Sequence, residues 1–287
     1  MKEKTMLTCL ADPTGGHEEA RGAGWYDGGS PRSGRPSLEA GCHGQLAWPC
    51  PPSRRSTTWP ALLAATLFSL LLATPAAAQQ GEALLIQDGA AWGYDAWNVE
   101  LTAAGIPYTQ IASADLAAEN LGQYDMVVTV STSGGTYNQR LLDKIVEFES
   151  YVQGGGVLIW SGCTQSGETP FPDPPFGGVD VYGTDSDNQI VDAAHPLLDG
   201  VIPPVSGNSA SHNYFTAIPV GAEIQLSHSA NGNPVLYTLH EGNGLLIATG
   251  ATWEFGWDAG WENGKILLNA IDWGWAFNPC TGDDNDG

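Results

Sequence analysis

Three short, nearly unbroken apolar runs restrict this chain more than any other feature: Ala83-Leu84-Leu85-Ile86, Met126-Val127-Val128-Thr129-Val130 and Val157-Leu158-Ile159-Trp160. Continuous apolarity over so few residues marks strands buried on both faces. Helical spacing fills the intervals. Trp97, Leu101 and Ala104 share a face that Gly105 ends, and Leu141, Ile145, Phe148 and Val152 share another that Gly154-Gly155-Gly156 ends. Thr136 and Gln139 have the spacing of a capping box for that second helix. Ser113 is placed to cap a shorter helix through Leu121, after a strand over Tyr108 to Ile111. Strand and helix in alternation imply right-handed crossovers. The expected fold class is α/β, a flavodoxin-like three-layer sandwich with a mostly parallel central sheet.

The rest of the chain reads differently. From Thr164 to Gly207 it is rich in Pro, Gly and Asp, which predicts a long excursion with little regular structure. Short strands follow at Glu223–Leu226, Val235–Thr238 and Leu245–Ala248, with a tight hairpin at Gly242-Asn243-Gly244. A last helix holds Ile266, Leu267, Ile271 and Trp275.

Residues 1–60 show no sustained period and read as a disordered leader. Arg54-Arg55, the apolar run Ala61 to Ala73 and the exit Ala76-Ala77-Ala78 form a signal peptide over 61–78. The apolar run falls short of the roughly 20 residues that span a bilayer. The expected domain covers 79–277, and 278–287 is an acidic, disordered tail. The protein is expected to be secreted, periplasmic or at the cell surface after cleavage near Ala78, with no membrane insertion.

Seven of the ten Lys and Arg precede Gln79, leaving three basic and 26 acidic residues beyond it, a net charge of −23. Such a surface repels nucleic acid and anionic membranes. Two cysteines, Cys163 and Cys280, follow the leader. Outside the cytoplasm such a pair forms a disulfide or stays as two thiols, and the sequence leaves both open.

Ala83–Ile86, the helix ending in Gly154-Gly155-Gly156 and the strand Val157–Trp160 are followed by Ala194-His195-Pro196-Leu197-Leu198-Asp199-Gly200. Gly242-Asn243-Gly244-Leu245-Leu246-Ile247-Ala248-Thr249-Gly250 then comes before Thr252-Trp253-Glu254. In this order the motifs resemble the class I glutamine amidotransferase-like superfamily, near its trehalose-utilisation (ThuA-like) branch, over roughly Glu82 to Trp275. The resemblance implies a nucleophilic Cys after a central strand and a His and Glu near the chain end. Cys163 and Glu254 fall close to the first and last of these. Where the His belongs, the chain has Ala251-Thr252-Trp253. A thiol without a base or cation beside it is not activated. The resemblance therefore leaves two readings, a non-catalytic module and an enzyme that is ThuA-like or a degenerate thiol hydrolase.

In an open parallel sheet, ligands bind beyond the carboxyl ends of the strands. The loops expected there carry Asp88, Trp92, Tyr94, Trp160, Trp253, Glu254, Trp257 and Asp258, and His212 has polar neighbours suited to lining a pocket. Aromatic faces stack on sugar rings, and carboxylates accept from hydroxyls. A carbohydrate is thus the expected ligand class. Ca²⁺, which takes oxygen ligands, is the cation those carboxylates would hold. No His pair has zinc spacing. The competing reading is a cell-surface structural domain whose Trp residues simply plug the sheet edge.

Overall fold

The computed structural model describes residues 81–131 and 133–277. The expected leader and signal peptide, and the tail with Cys280 expected to be disordered, lie outside the described residues. Strands β1 (Ala83–Ile86), β2 (Tyr108–Ile111), β3 (Met126–Thr129) and β4 (Val157–Ser161) alternate with helices α1 (Ala96–Ala103), α2 (Gly135–Asp143) and α3 (Ile145–Gln153). Then come β5 (Val179–Ile190), β6 (Val205–Ala217), β7 (Glu223–Ser227), β8 (Pro234–Glu241), β9 (Gly244–Thr249), α4 (Trp253–Ala259) and α5 (Glu262–Ala276).

These strands form one nine-stranded sheet in the order β2-β1-β3-β4-β9-β8-β7-β5-β6. Pairings from β2 through β1, β3 and β4 to β9 are parallel. Those from β9 through β8, β7 and β5 to β6 are antiparallel. The sheet is therefore mixed, which corrects the expectation of a mostly parallel one. The parallel half is the part whose strands are buried on both faces: every residue of β1, β3, β4 and β9 is buried. Each fully buried Leu, Ile or Val there contributes roughly 1.5–3 kcal/mol relative to exposure.

Side-chain alternation on β4 shows the two covering layers. Val157 and Ile159 face Gly274 of α5. Trp160 points the other way, onto Phe148 of α3, with ring centroids 5.3 Å apart. The expected hairpin is present: Glu241 pairs with Gly244 across Gly242-Asn243, and Gly242 takes the positive φ of 62° that such a turn demands.

Four other local expectations give way. The stretch 164–207 is not irregular, because it contains the twelve-residue β5 and the start of β6. Only Asp180 and Asn188 of β5 are buried, so the strand is set by its ladder to β6 and carries no apolar alternation to read. The helix expected through Leu141 and Val152 is two helices, broken at Lys144 (φ −104°, ψ 8°). Its capping box is not formed: Gly134 is the N-cap, and Thr136 already lies within α2. Residues 113–121 give 3-10 turns at Leu116–Ala118 and Leu121–Gln123 instead of an α-helix, and Ser113 bonds Asp88.

The far end of the sheet turns back on the chain that follows β9. Ser211 of β6 bridges Ala251, the amides of His212 and Asn213 both donate to Gly250 O, and Thr252 N donates to Ala210 O. This return sets β6 beside the end of β9 and the start of α4, where the conspicuous Cys, Glu and Trp residues gather.

Candidate functional site

Cys163 stands two residues beyond β4, after Ser161-Gly162, and is 0% exposed with a free thiol. Glu254 lies near enough for its charge to act on this thiol. Glu254 lies in the first turn of α4 and is 1% exposed. Its Oε1 accepts from Trp97 Nε1 at 2.9 Å and from the Ser131 amide at 3.1 Å. Oε2 accepts from the Ser131 hydroxyl at 2.7 Å, and that hydroxyl is 2.8 Å from Ser161 Oγ. Three protein donors thus occupy the carboxylate.

Burial pushes the Cys163 thiol well above its ordinary value, and the Glu254 and Asp180 carboxylates push it further. The His212 amide and the Ser131 hydroxyl, which face the sulfur, only partly oppose this. The imidazole of His212 is turned elsewhere. Its Nδ1 lies 3.2 Å from Thr164 O, and its ring meets Trp92 edge-on at 4.6 Å and Tyr182 at 6.1 Å. Burial holds this histidine below its usual range, so the ring is neutral at pH 7. The Cys163 thiol thus lies within electrostatic reach of Glu254, and the imidazole of His212 is not aimed at the sulfur.

The remaining expected residues divide into three groups. Trp160 (0% exposed) and Trp253 (1%) belong to the core and offer no surface to a ligand. Trp160 donates to Pro172 O at 2.9 Å, and Trp253 leans on Trp97 at 6.3 Å. Asp88 is held apart: it accepts from the Ser113 amide and hydroxyl and lies 3.7 Å from Arg140. Trp92, Tyr94, His212, Trp257 and Asp258 are partly or fully exposed, on the segment between β1 and α1, on β6 and on α4. The Tyr94 hydroxyl donates to Asp258, which raises the phenol above its usual range, and its ring meets Phe255 at 5.9 Å. Trp92 is held at φ 55°, a left-handed conformation that costs a bulky residue of order 1–3 kcal/mol and concentrates at functional sites.

Trp253, Glu254, Trp257 and Asp258 lie on α4 rather than on a loop. That helix explains a pairing the sequence reading missed. Trp257 Nε1 donates to Glu100 of α1 at 2.6 Å, while Trp97 of α1 donates to Glu254 of α4. Trp and Glu stand three residues apart on each helix, in opposite order, and that reciprocal spacing is the signal that was there to read. Ser131, Ser161, Asp180, Tyr182 and Asn213 carried no comparable mark. Among the described residues, no three or more His, Cys, Asp or Glu side chains are grouped to hold a metal ion.

These features define a mixed α/β domain in which Cys163 and Glu254 are both buried. No family model matches the chain. An uncharacterized protein of Clostridium acetobutylicum is 27% identical over 179 residues, which cover 60% of this chain and 18% of that protein. The chain thus spans under a fifth of that relative's length. Similar solved structures include a cytoplasmic protein of Salmonella typhimurium LT2, with TM-score 0.45 and 14% identity, covering 70% of this chain and 98% of that one. PurLQS of Thermotoga maritima gives TM-score 0.42 and 11% identity over 68% of this chain and 99% of that one. An exo-β-1,4-mannosidase of Opitutaceae bacterium strain TAV5 gives 0.41 and 14% over 67% and 35%. Likeness this distant says nothing of what the present chain binds or does.

Proposed function

We propose that this chain is an exported, non-catalytic domain of the glutamine amidotransferase-like kind that binds a carbohydrate or similar polar ligand at its aromatic rim. One observation carries the reading: the thiol at the nucleophile position is fully buried, and the carboxylate beside it is taken up by Trp97 and Ser131. A working thiol centre needs a thiolate, access and a base. Here all three are lacking at Cys163. The motifs at Ala194–Gly200 and Gly242–Gly250 favour the ThuA-like branch for this domain, and the signal peptide over 61–78 is the ground for export.

The ligand surface consists of Trp92, Tyr94, His212, Trp257 and Asp258, with Tyr182 alongside. Aromatic faces would stack on a sugar ring, while Asp258 and the neutral His212 ring accept from hydroxyls. The test is titration of the purified protein against a glycan panel, with and without Ca²⁺, following Trp fluorescence. Saturable quenching that is lost in Trp92→Ala is the expected result. No response across the panel would favour the second reading, a structural domain, which draws its support from the complete burial of Trp160 and Trp253.

A further inference from the structure

A cavity lies at the amino ends of the parallel strands, the edge opposite the one that carries Cys163. Gly81 and Glu82 lead into β1, Tyr124 and Asp125 lead into β3, and Trp275 and Phe277 stand at the end of α5. Between them is a space of about 670 Å³. That is within the roughly 300–1,000 Å³ of small-molecule sites.

The charge in this cavity is all of one sign. Asp125 Oδ2 accepts from the Glu82 amide at 3.1 Å, which holds the two residues together, and Glu82 Oε1 accepts from the Thr109 hydroxyl at 2.6 Å. The second oxygen of each, Asp125 Oδ1 and Glu82 Oε2, accepts no bond from the described residues. No Lys, Arg or His lines the cavity. The ion pairs among the described residues lie elsewhere, at Asp88, Glu147, Asp185 and Glu262. The fifteen-residue α5 ends here with no basic residue in its last turn, so its dipole adds to the negative potential. Burial raises the Tyr124 phenol above its ordinary value, and the Glu119 and Glu82 carboxylates raise it further.

The walls are aromatic. Trp275 and Phe277 are half-buried, and Tyr124 is 8% exposed. A β-carbon on Gly81 would stand 2.5 Å from Asp125 Oδ2 and 3.0 Å from the Trp275 ring, so carboxylate and indole flank the same glycine. Ring faces attract cations, and apolar walls of low dielectric focus the field of the carboxylates. A bare metal ion is a poorer match. Ca²⁺ takes six to eight oxygen ligands, and no three or more His, Cys, Asp or Glu side chains among the described residues are grouped to supply them.

We propose that this cavity binds an organic diammonium ion, whose two charged ends bond Glu82 and Asp125 and whose hydrocarbon stem lies along Trp275 and Phe277. Two open carboxylates match two ammonium groups, and the rings match the methylenes between them. The site does not depend on what the rim binds.

Calorimetric titration of the purified protein with hexamethylenediamine, in physiological salt, tests the site. Salt is needed because so acidic a surface gathers cations everywhere, and screening removes that background. The double variant Glu82→Gln with Asp125→Asn removes both charges and keeps an acceptor for Thr109 and for the residue 82 amide. Its control is Glu223→Gln with Asp115→Asn, two exposed carboxylates outside the cavity, which changes the net charge equally. Wild type and control are expected to bind one equivalent with the same affinity, and the cavity variant about tenfold more weakly. Equal affinity in all three proteins, or uptake that never saturates, would overturn the site. A comparison on the wild type alone needs no variant. Hexanediol, which has the same stem and no charge, should leave the protein unsaturated, and binding as tight as the diamine's would equally sink the idea.

Discussion

Trp97 of α1 and Glu254 of α4, 157 residues apart in the chain, meet in the buried interior through a 2.9 Å hydrogen bond. The same two helices exchange a second bond in the opposite sense, from Trp257 to Glu100 at 2.6 Å. An indole beside a carboxylate suits a sugar site when both are open to solvent. Here each satisfies the other, and the pair fastens two helices instead.

Glu254→Ala should therefore act as a stability mutation. It strands the Trp97 indole and the Ser131 amide, two buried donors at roughly 1–3 kcal/mol each. A loss of about 3 kcal/mol in urea unfolding, with an unchanged slope, is expected. Trp257→Phe removes one half-buried bond and should cost about 1 kcal/mol. Equal losses in the two variants would show that the buried member of the clasp is no more important than the exposed one.

Position 92 should prefer glycine to alanine. Both variants delete the indole and its contact with His212, but only alanine keeps the steric penalty of φ 55°. Trp92→Gly is expected to be more stable than Trp92→Ala by about 1 kcal/mol in the same unfolding assay. The reverse order would mean that the loop relaxes to an ordinary conformation once the ring is gone.

His212 should make the protein sensitive to acid. Its folded pKa is depressed by burial, so the unfolded state takes up the proton first. Its contribution is complete above the unfolded value, about 6.5, and is lost as pH falls toward the lower folded value. The Tm difference between wild type and His212→Gln should shrink or reverse as pH is lowered from 7 to 5. A constant difference would show that the ring titrates normally.

At pH 7, Cys163 should resist iodoacetamide in the native state and react once urea unfolds the chain. Its burial and the nearby Glu254 both disfavour the thiolate. Rapid native alkylation of this residue, identified by mass spectrometry, would restore the thiol hydrolase reading.

The parallel half of the fold was legible because its strands are apolar throughout. Ala83–Ile86 and Val157–Trp160 announce burial on both faces without help from any neighbour. The arm formed by β5 and β6 was not. Val179 to Ile190 has Asp and Gly where strands usually carry branched residues, and its extended form comes from cross-strand pairing that a single sequence does not display. The candidate site was half legible for the same reason. Motif order pointed to Cys163 and Glu254, but whether a Trp ends up as platform or plug depends on what covers it. For Trp160 the cover is Phe148 and Pro172; for Trp253 one neighbour is Trp97.

The recurving of β6 onto Gly250–Thr252 has a bearing on how such a molecule lives among copies of itself. A lengthy strand with bare amides along one flank recruits other chains and seeds aggregates. Here the thirteen-residue β6 has part of that flank stitched to its own chain by the bonds at Ala210, His212 and Asn213, and register shifts bend its ladder to β5. The opposite margin, β2, offers four residues. A nine-stranded sheet is thereby left with very little straight border at which a stranger's strand could dock.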